Sequence, residues 1–227
     1  MSDFYGSAAR RLQARFETEA LADRLEQAIV TPELSEADQD FVASRDFFFL
    51  STVSADGFPT VSYKGGGRGL VAALDPSTLA FPSYDGNGMY LSMGNIEDTA
   101  KIGMLFIDFE QPARLRVEAT ATLSDRVGLL ERWPGAELVV VAEITNAWVN
   151  CPRYIHRHQR VVDSSYVPDE AGDAPLAPWK RLDGITDALR PSDQALVADA
   201  GGQISHERYV ELLAEEAGIT GSDGGEG

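Results

Sequence analysis

The spacing of apolar positions changes character along the chain. Ala8, Leu12, Phe16, Leu21, Leu25 and Ile29 recur mostly every three to five residues with Arg and Glu between them, which predicts helix over the first thirty residues. Pro32 ends that run, and Ser35, followed by Glu36 and Asp38, predicts a second short helix with acids in its first turn. From Asp46 the period shortens. Phe47–Val53 is a compact aromatic and β-branched strand, and an Asp56-Gly57 turn returns the chain through Thr60–Lys64. Further strands are predicted at 70–74, 78–82, 102–109, 115–123 and 138–144, with a short helix over 89–100 and another near Val127–Arg132. In 115–123 Leu, Val and Ala alternate with Arg, Glu and Thr, which predicts one dry and one polar face. Six or seven strands joined mostly by tight turns suggest a barrel or a sandwich.

The predicted organisation is a helical segment over 1–45, a β domain over 46–160, a linker or irregular wrap over 161–183, a helical segment over 184–217, and a disordered Gly- and acid-rich tail over 218–227. No internal repeat is visible.

Composition narrows the function. The 227 residues are 44% apolar, enough for a packed core, and carry a formal net charge of −17. That charge repels a phosphate backbone and an anionic bilayer, so neither nucleic acid nor membrane is expected as partner. A single cysteine, Cys151, rules out an intrachain disulfide and fits a reducing compartment. The N-terminus has no secretory pattern and no stretch reaches membrane-spanning length, so the expected location is cytoplasmic.

Three segments carry candidate chemistry. Ser62-Tyr63-Lys64-Gly65-Gly66-Gly67 ends a strand on a cation followed by glycines, an arrangement whose open amides suit an anion or a flat ligand, or a flexible turn. Phe81–Ile96 gathers small polar residues, tyrosines and methionines around a helix start, where free N–H groups bind phosphate. Within it Ser92 and Asn95 share a helix face. Asn150–Arg157 clusters Cys151, Arg153, Tyr154, His156 and Arg157. Cys151, His156 and His158 lack a fourth ligand group nearby, so no metal is expected. His206 stands alone and reads as a surface residue.

Taken in order, FFFLSTVSADGFPTVSYKGG, LAFPSYDGNGMYLSMGNI, KIGMLFIDF, RLRVEATATL and NCPRYIHR resemble the pyridoxamine 5′-phosphate oxidase-like family of flavin-binding split barrels, over about Asp46 to Arg157. The resemblance implies a mainly β fold with flanking helices, built as a six-stranded antiparallel Greek-key split β-barrel. It implies a homodimer with flavin mononucleotide (FMN) at the subunit interface. It places Ser62 and Lys64, with Tyr63 and Gly65 beside them, at the flavin ring or phosphate. Tyr84, Asn87, Ser92 and Asn95 fall where the family clamps the ribityl phosphate, and Arg153 and His156 fall on the late segment that reaches cofactor or substrate. His156 is the best candidate for an acid or base, since an imidazole titrates nearest neutrality. The segment departs from the oxidases in having no basic residue between Pro82 and Lys101, which argues against a phosphorylated B6 substrate. The expected function is an FMN-dependent oxidoreductase of unknown substrate. The alternatives are a non-catalytic carrier or sensor of FMN, haem or a deazaflavin, and a barrel with an empty site.

Overall fold

The computed structural model describes residues 4–216. The predicted tail over 218–227 lies outside them. They divide into two units, one of residues 4–163 with 167–173 and one of 164–166 with 174–216.

The first unit begins with helices α1 (Ser7–Arg15), α2 (Glu19–Ile29) and α3 (Glu36–Ala43). The single helical run expected over the first thirty residues is broken at Phe16–Thr18, where Glu17 takes a left-handed φ of 56°. Arg10 bonds back to Asp23 and Glu26 and folds the two helices into a hairpin. The periodicity concealed the reversal because the apolar row continues across it. At α3, the Ser35 hydroxyl accepts from the Asp38 N–H and the Asp38 carboxylate accepts from the Ser35 N–H, both at 3.2 Å. This reciprocal cap satisfies two amides that the helix leaves open. Ser35→Ala is expected to cost about 1 kcal/mol, read as a lower urea midpoint with an unchanged slope.

The strands are β1 (Phe47–Val53), β2 (Pro59–Gly65), β3 (Ala72–Asp75), β4 (Thr78–Tyr84), β5 (Lys101–Asp108), β6 (Ala113–Ser124) and β7 (Ala136–Val149). Helix α4 (Leu91–Thr99) links β4 to β5, and the short α5 (Val127–Leu130) links β6 to β7. All pairings between these strands are antiparallel. The expectation of a six-stranded split barrel is corrected here. The chain forms one seven-stranded sheet in the order β2-β1-β5-β6-β7-β4-β3, with β2 and β3 at its two edges and no ladder closing one onto the other.

The reason lies in the segment that joins those edges. After Gly65 the backbone leaves the ladder. The Gly66 N–H donates to Asp46 O at 2.8 Å and the Gly69 N–H to Ala43 O at 2.9 Å, so the glycine run is tied to the turn before β1. It cannot act as a tight hairpin that would pair β2 with β3. Strand β3 itself is only four residues long, and its register on β4 shifts between Ala73 and Asp75.

One face of the sheet carries the core. Phe48, Leu50, Leu79, Phe81, Met104, Phe106, Val117 and Val140 are buried together, with Phe48 packed against both Phe81 and Phe106. A smaller cluster joins Ala80, Trp133 and Val139. The Trp133 indole N–H donates to Gly69 O at 3.2 Å.

The second unit contains two 3₁₀ turns, Pro178–Arg181 and Thr186–Ala188, and helices α6 (Pro191–Asp199) and α7 (His206–Glu216). The helical period read over 184–217 is therefore interrupted. Pro191 starts α6, and Gly201 and Gly202, both at positive φ, separate it from α7. Within this unit the Lys180 ammonium lies 3.1 Å from the Asp193 carboxylate, both buried. Among the described residues no helix is long and apolar enough to cross a membrane.

Candidate functional site

Strand alternation decides which residues of β2 can act together. Thr60, Ser62 and Lys64 pair with Thr52, Leu50 and Phe48 of β1 and share the core-side face, while Val61 and Tyr63 point the other way and are exposed. Helix α4 lies against this hairpin. The Ser62 and Ser92 hydroxyls meet at 3.3 Å although thirty residues separate them.

Deeper in, Asn95 is buried and its amide donates to Thr52 Oγ1 at 2.9 Å and to Thr60 Oγ1 at 3.4 Å. The two threonine hydroxyls bond each other at 2.9 Å across the hairpin. The Thr99 hydroxyl closes the far end of the helix on Val53 O at 2.9 Å. These bonds fix α4 on the hairpin. Thr52, Thr60 and Thr99 were not picked out from the sequence. The one available signal was a threonine on the inward phase of Phe48-Leu50-Thr52, where burial demands a partner.

The start of α4 is open. Tyr90 precedes it in a left-handed conformation with no side-chain cap, and the first turn holds no acid. Its leading amides thus combine unsatisfied N–H groups with the positive end of the helix dipole. Lys64 lies on the same β2 face as Ser62, one inward position along the strand. It is half-buried and has no acidic partner among the described residues, and burial draws its pKa below the ordinary value. A half-buried cation without an acidic partner, on the strand face whose Ser62 meets the first turn of α4, is suited to an anionic group.

The other expected residues sit elsewhere. Tyr63 stacks on Phe47 with ring centroids 5.4 Å apart on the outer face, and burial raises its phenol pKa. Gly65 lies in the ladder opposite Phe47. At Gly66 a Cβ would meet Leu70 Cδ1 at 2.7 Å, so this glycine admits a buried leucine. Tyr84 ends β4 half-buried against the core, its pKa also raised by burial. The exposed Asn87 side chain accepts from the Met89 N–H at 3.1 Å. The Tyr90 hydroxyl, not singled out from the sequence, donates to the Glu137 carboxylate at 2.7 Å.

Arg153 and His156 lie exposed on the arm that follows β7. The arm is held by Arg157 Nε on Glu110 O at 3.1 Å, by His158 N on Phe109 O at 3.1 Å, and by Arg160 on Asp46. Neither Arg153 nor His156 bonds to Lys64, Ser62 or Ser92 within the chain. The exposed Cys151 thiol is drawn below its ordinary pKa by the Arg153 backbone N–H and guanidinium.

This hairpin-and-helix arrangement falls inside a recognised family. The family model of pyridoxamine 5′-phosphate oxidase matches residues 34–150, just over half of the chain, and the chain belongs to that family. Among solved structures it is similar to a Lactobacillus delbrueckii protein provisionally assigned as a pyridoxamine 5′-phosphate oxidase, at 26% identity over 52% of this chain and 95% of that one, with a TM-score of 0.43. An FMN-binding protein from Syntrophomonas wolfei is 14% identical over 63% and 97% of the two chains, with a TM-score of 0.41. The heme storage protein HutZ from Vibrio cholerae is 17% identical over 52% and 94%, with a TM-score of 0.38. No curated protein matches the chain.

Proposed function

We propose that the protein is an FMN-dependent oxidoreductase that works as a homodimer with the cofactor at the subunit interface. The observation that carries this reading is Lys64, a half-buried cation with no acidic partner among the described residues, on the β2 face whose Ser62 meets Ser92 in the first turn of α4, in a chain of the oxidase family. The residues present fit the group. The phosphate of FMN takes the α4 amides, the Ser62 and Ser92 hydroxyls and Lys64, and Tyr84 offers an apolar ring with a polar tip. Bound FMN supplies the redox chemistry at its ring. Lys64 would balance the charge of the phosphate, and the Asn95–threonine clamp holds α4 on the hairpin.

The interface location has its own support. Arg153 and His156 stand apart from Lys64 within one chain, and a shared site brings such an arm to a cofactor. Val61 and Tyr63 leave the outer face of the β2 edge apolar and exposed, with the exposed Phe58 in the turn before it, as a subunit contact requires. A phosphorylated B6 substrate is not part of the proposal, because no basic residue lies between Pro82 and Lys101. A carrier without turnover is the second reading. It is favoured by the exposure of all three histidines, which leaves no imidazole built into the site of one chain.

Adding NADH or NADPH to the FMN-loaded protein separates the two readings. Bleaching of the flavin absorption at a catalytically useful rate supports the enzyme, and a bound flavin that no donor reduces supports the carrier.

The lysine also predicts a pH dependence. Its folded pKa lies below the ordinary 10.5. Between those two values the unfolded chain holds a proton that the fold lacks, so this residue's contribution to stability becomes more favourable as pH rises through that window. Anion binding has the opposite sign, since it needs the ammonium. FMN affinity is expected to fall with rising pH before an ordinary lysine would titrate, and Lys64→Arg is expected to abolish the lysine's share of that fall. Fluorescence titrations of both proteins from neutral to alkaline pH check this.

A further inference from the structure

Cys151 leaves the sheet beside two guanidiniums. Strand β7 ends at Val149, which pairs with Leu115 of β6, and the Asn150 N–H donates to Arg114 O at 3.4 Å. The thiol therefore comes one residue after the position that faces Arg114. The chain then turns tightly. Pro152 has no amide to offer, the Ile155 N–H donates to Pro152 O at 3.0 Å, and Tyr154 takes a left-handed φ of 73°. This turn sets the Arg153 backbone N–H and guanidinium on the thiol, and with the charge of Arg114 they draw its pKa down. The thiol itself is exposed.

Two buried groups mark this corner as a place for a ligand. Arg114 Nε and Asn150 Oδ1 are closed off from solvent, and neither has a hydrogen-bond partner among the described residues. A buried donor or acceptor left without a partner costs about 1–3 kcal/mol, so a fold that keeps one on each strand beside a thiol needs a reason for it. The charges point the same way. Arg157 and Arg160 are engaged in holding the arm, on Glu110 O and on Asp46. Arg153 and Arg114 pair with no carboxylate among the described residues. Residues 151–160 contain no Asp or Glu, although the chain carries −17.

We infer that Cys151 is a modification site for small disulfides that bear carboxylates, recognised by Arg153 and Arg114. A guanidinium takes a carboxylate through two parallel N–H···O bonds, which selects an anionic partner over a neutral or cationic one. The step is thiol–disulfide exchange. The Cys151 thiolate attacks one sulfur of the incoming disulfide, a new Sγ–S bond forms, the old S–S bond breaks, and the departing thiolate takes a proton from water. The incoming disulfide is the oxidant: Cys151 is oxidised into the mixed disulfide, and the departing half is reduced. The inference does not rest on the flavin reading.

The test is a charge competition. Oxidised glutathione, which carries carboxylates, and cystamine, which carries only amines, are reacted separately with the chain, and the adduct is followed by intact mass. The ratio of the two rates is compared with the same ratio for the chain unfolded in urea, which removes the intrinsic reactivity of each reagent. The net charge of −17 by itself favours cystamine. Folding is nevertheless expected to shift the ratio at least about tenfold towards glutathione, as two cations near the thiol require. Arg153→Gln and Arg114→Gln are each expected to remove a large part of that shift, Arg153→Lys to keep most of it, and 1 M salt to shrink it. Arg153 is exposed, so its variants leave the fold intact, and FMN content read on the same samples keeps the flavin site separate from this one. A ratio that folding leaves unchanged or moves towards cystamine, a shift that survives both glutamine variants, or a folded chain that forms no adduct with glutathione would each overturn the inference.

Discussion

Lys64→Met is expected to weaken FMN binding by about 10- to 100-fold, the loss that follows from removing one charge-assisted contact of about 1.5–3 kcal/mol. Methionine keeps the length and the apolar stem, so packing beside Phe48 is preserved while the ammonium is removed. Burial disfavours this cation in the free protein, and no acidic side chain among the described residues compensates it. The folded chain should therefore tolerate Lys64→Met well, and its urea midpoint should stay level or rise. Lost affinity with retained stability is what separates a ligand-binding lysine from a structural one. Equal FMN affinity in the two proteins would remove Lys64 from the site.

Asp193→Asn has the largest expected effect on stability, up to about 3–5 kcal/mol within the unit of 164–166 and 174–216, because it removes the carboxylate 3.1 Å from the buried Lys180 ammonium. The Arg190 Nε also lies 3.1 Å from this carboxylate, so the substitution takes it from both cations. Amide hydrogen exchange of the intact chain should show protection lost around α6 while β1, β5 and β6 keep theirs. The paired change Lys180→Met/Asp193→Leu is expected to recover most of the loss, since an apolar pair of similar volume carries no desolvation cost. A double variant as unstable as Asp193→Asn would mean that the cluster contributes through hydrogen bonds that an apolar pair cannot replace.

How much of this was legible in the sequence depended on whether the information was local. Phe47–Val53 is the predicted strand residue for residue, because aromatic and β-branched side chains crowd a stretch bounded by turn residues. The Ser35 cap was readable for the same reason, as a side chain acting three residues away. Strand β7 was read as 138–144 but extends over Ala136–Val149, with a register shift between Glu118 and Ala119 of its partner β6. That shift breaks the simple alternation beyond Ile144. Closure of the sheet was not local at all. It depends on whether β2 and β3, at opposite ends of the strand order, meet, and the family resemblance set that expectation wrongly where the glycine run ties itself to Ala43 and Asp46.

The site divides the same way. The sequence reading grouped Tyr63 with Ser62 and Lys64, and the structure sets it on the opposite face of β2. The meeting of Ser62 with Ser92 needed the crossing of α4 over the hairpin, which no spacing in the chain announces. Asn95 was placed at the phosphate by the family resemblance, and its bonds to Thr52 and Thr60 become visible only once those threonines are seen opposite each other across the hairpin.

The most direct test of the central proposal is to reconstitute the purified chain with FMN, remove the excess, and measure the visible absorption together with the mass of whatever denaturation releases. The account predicts a yellow protein that releases FMN at close to one per chain. A protein that stays colourless and takes up no FMN at millimolar concentration would contradict it.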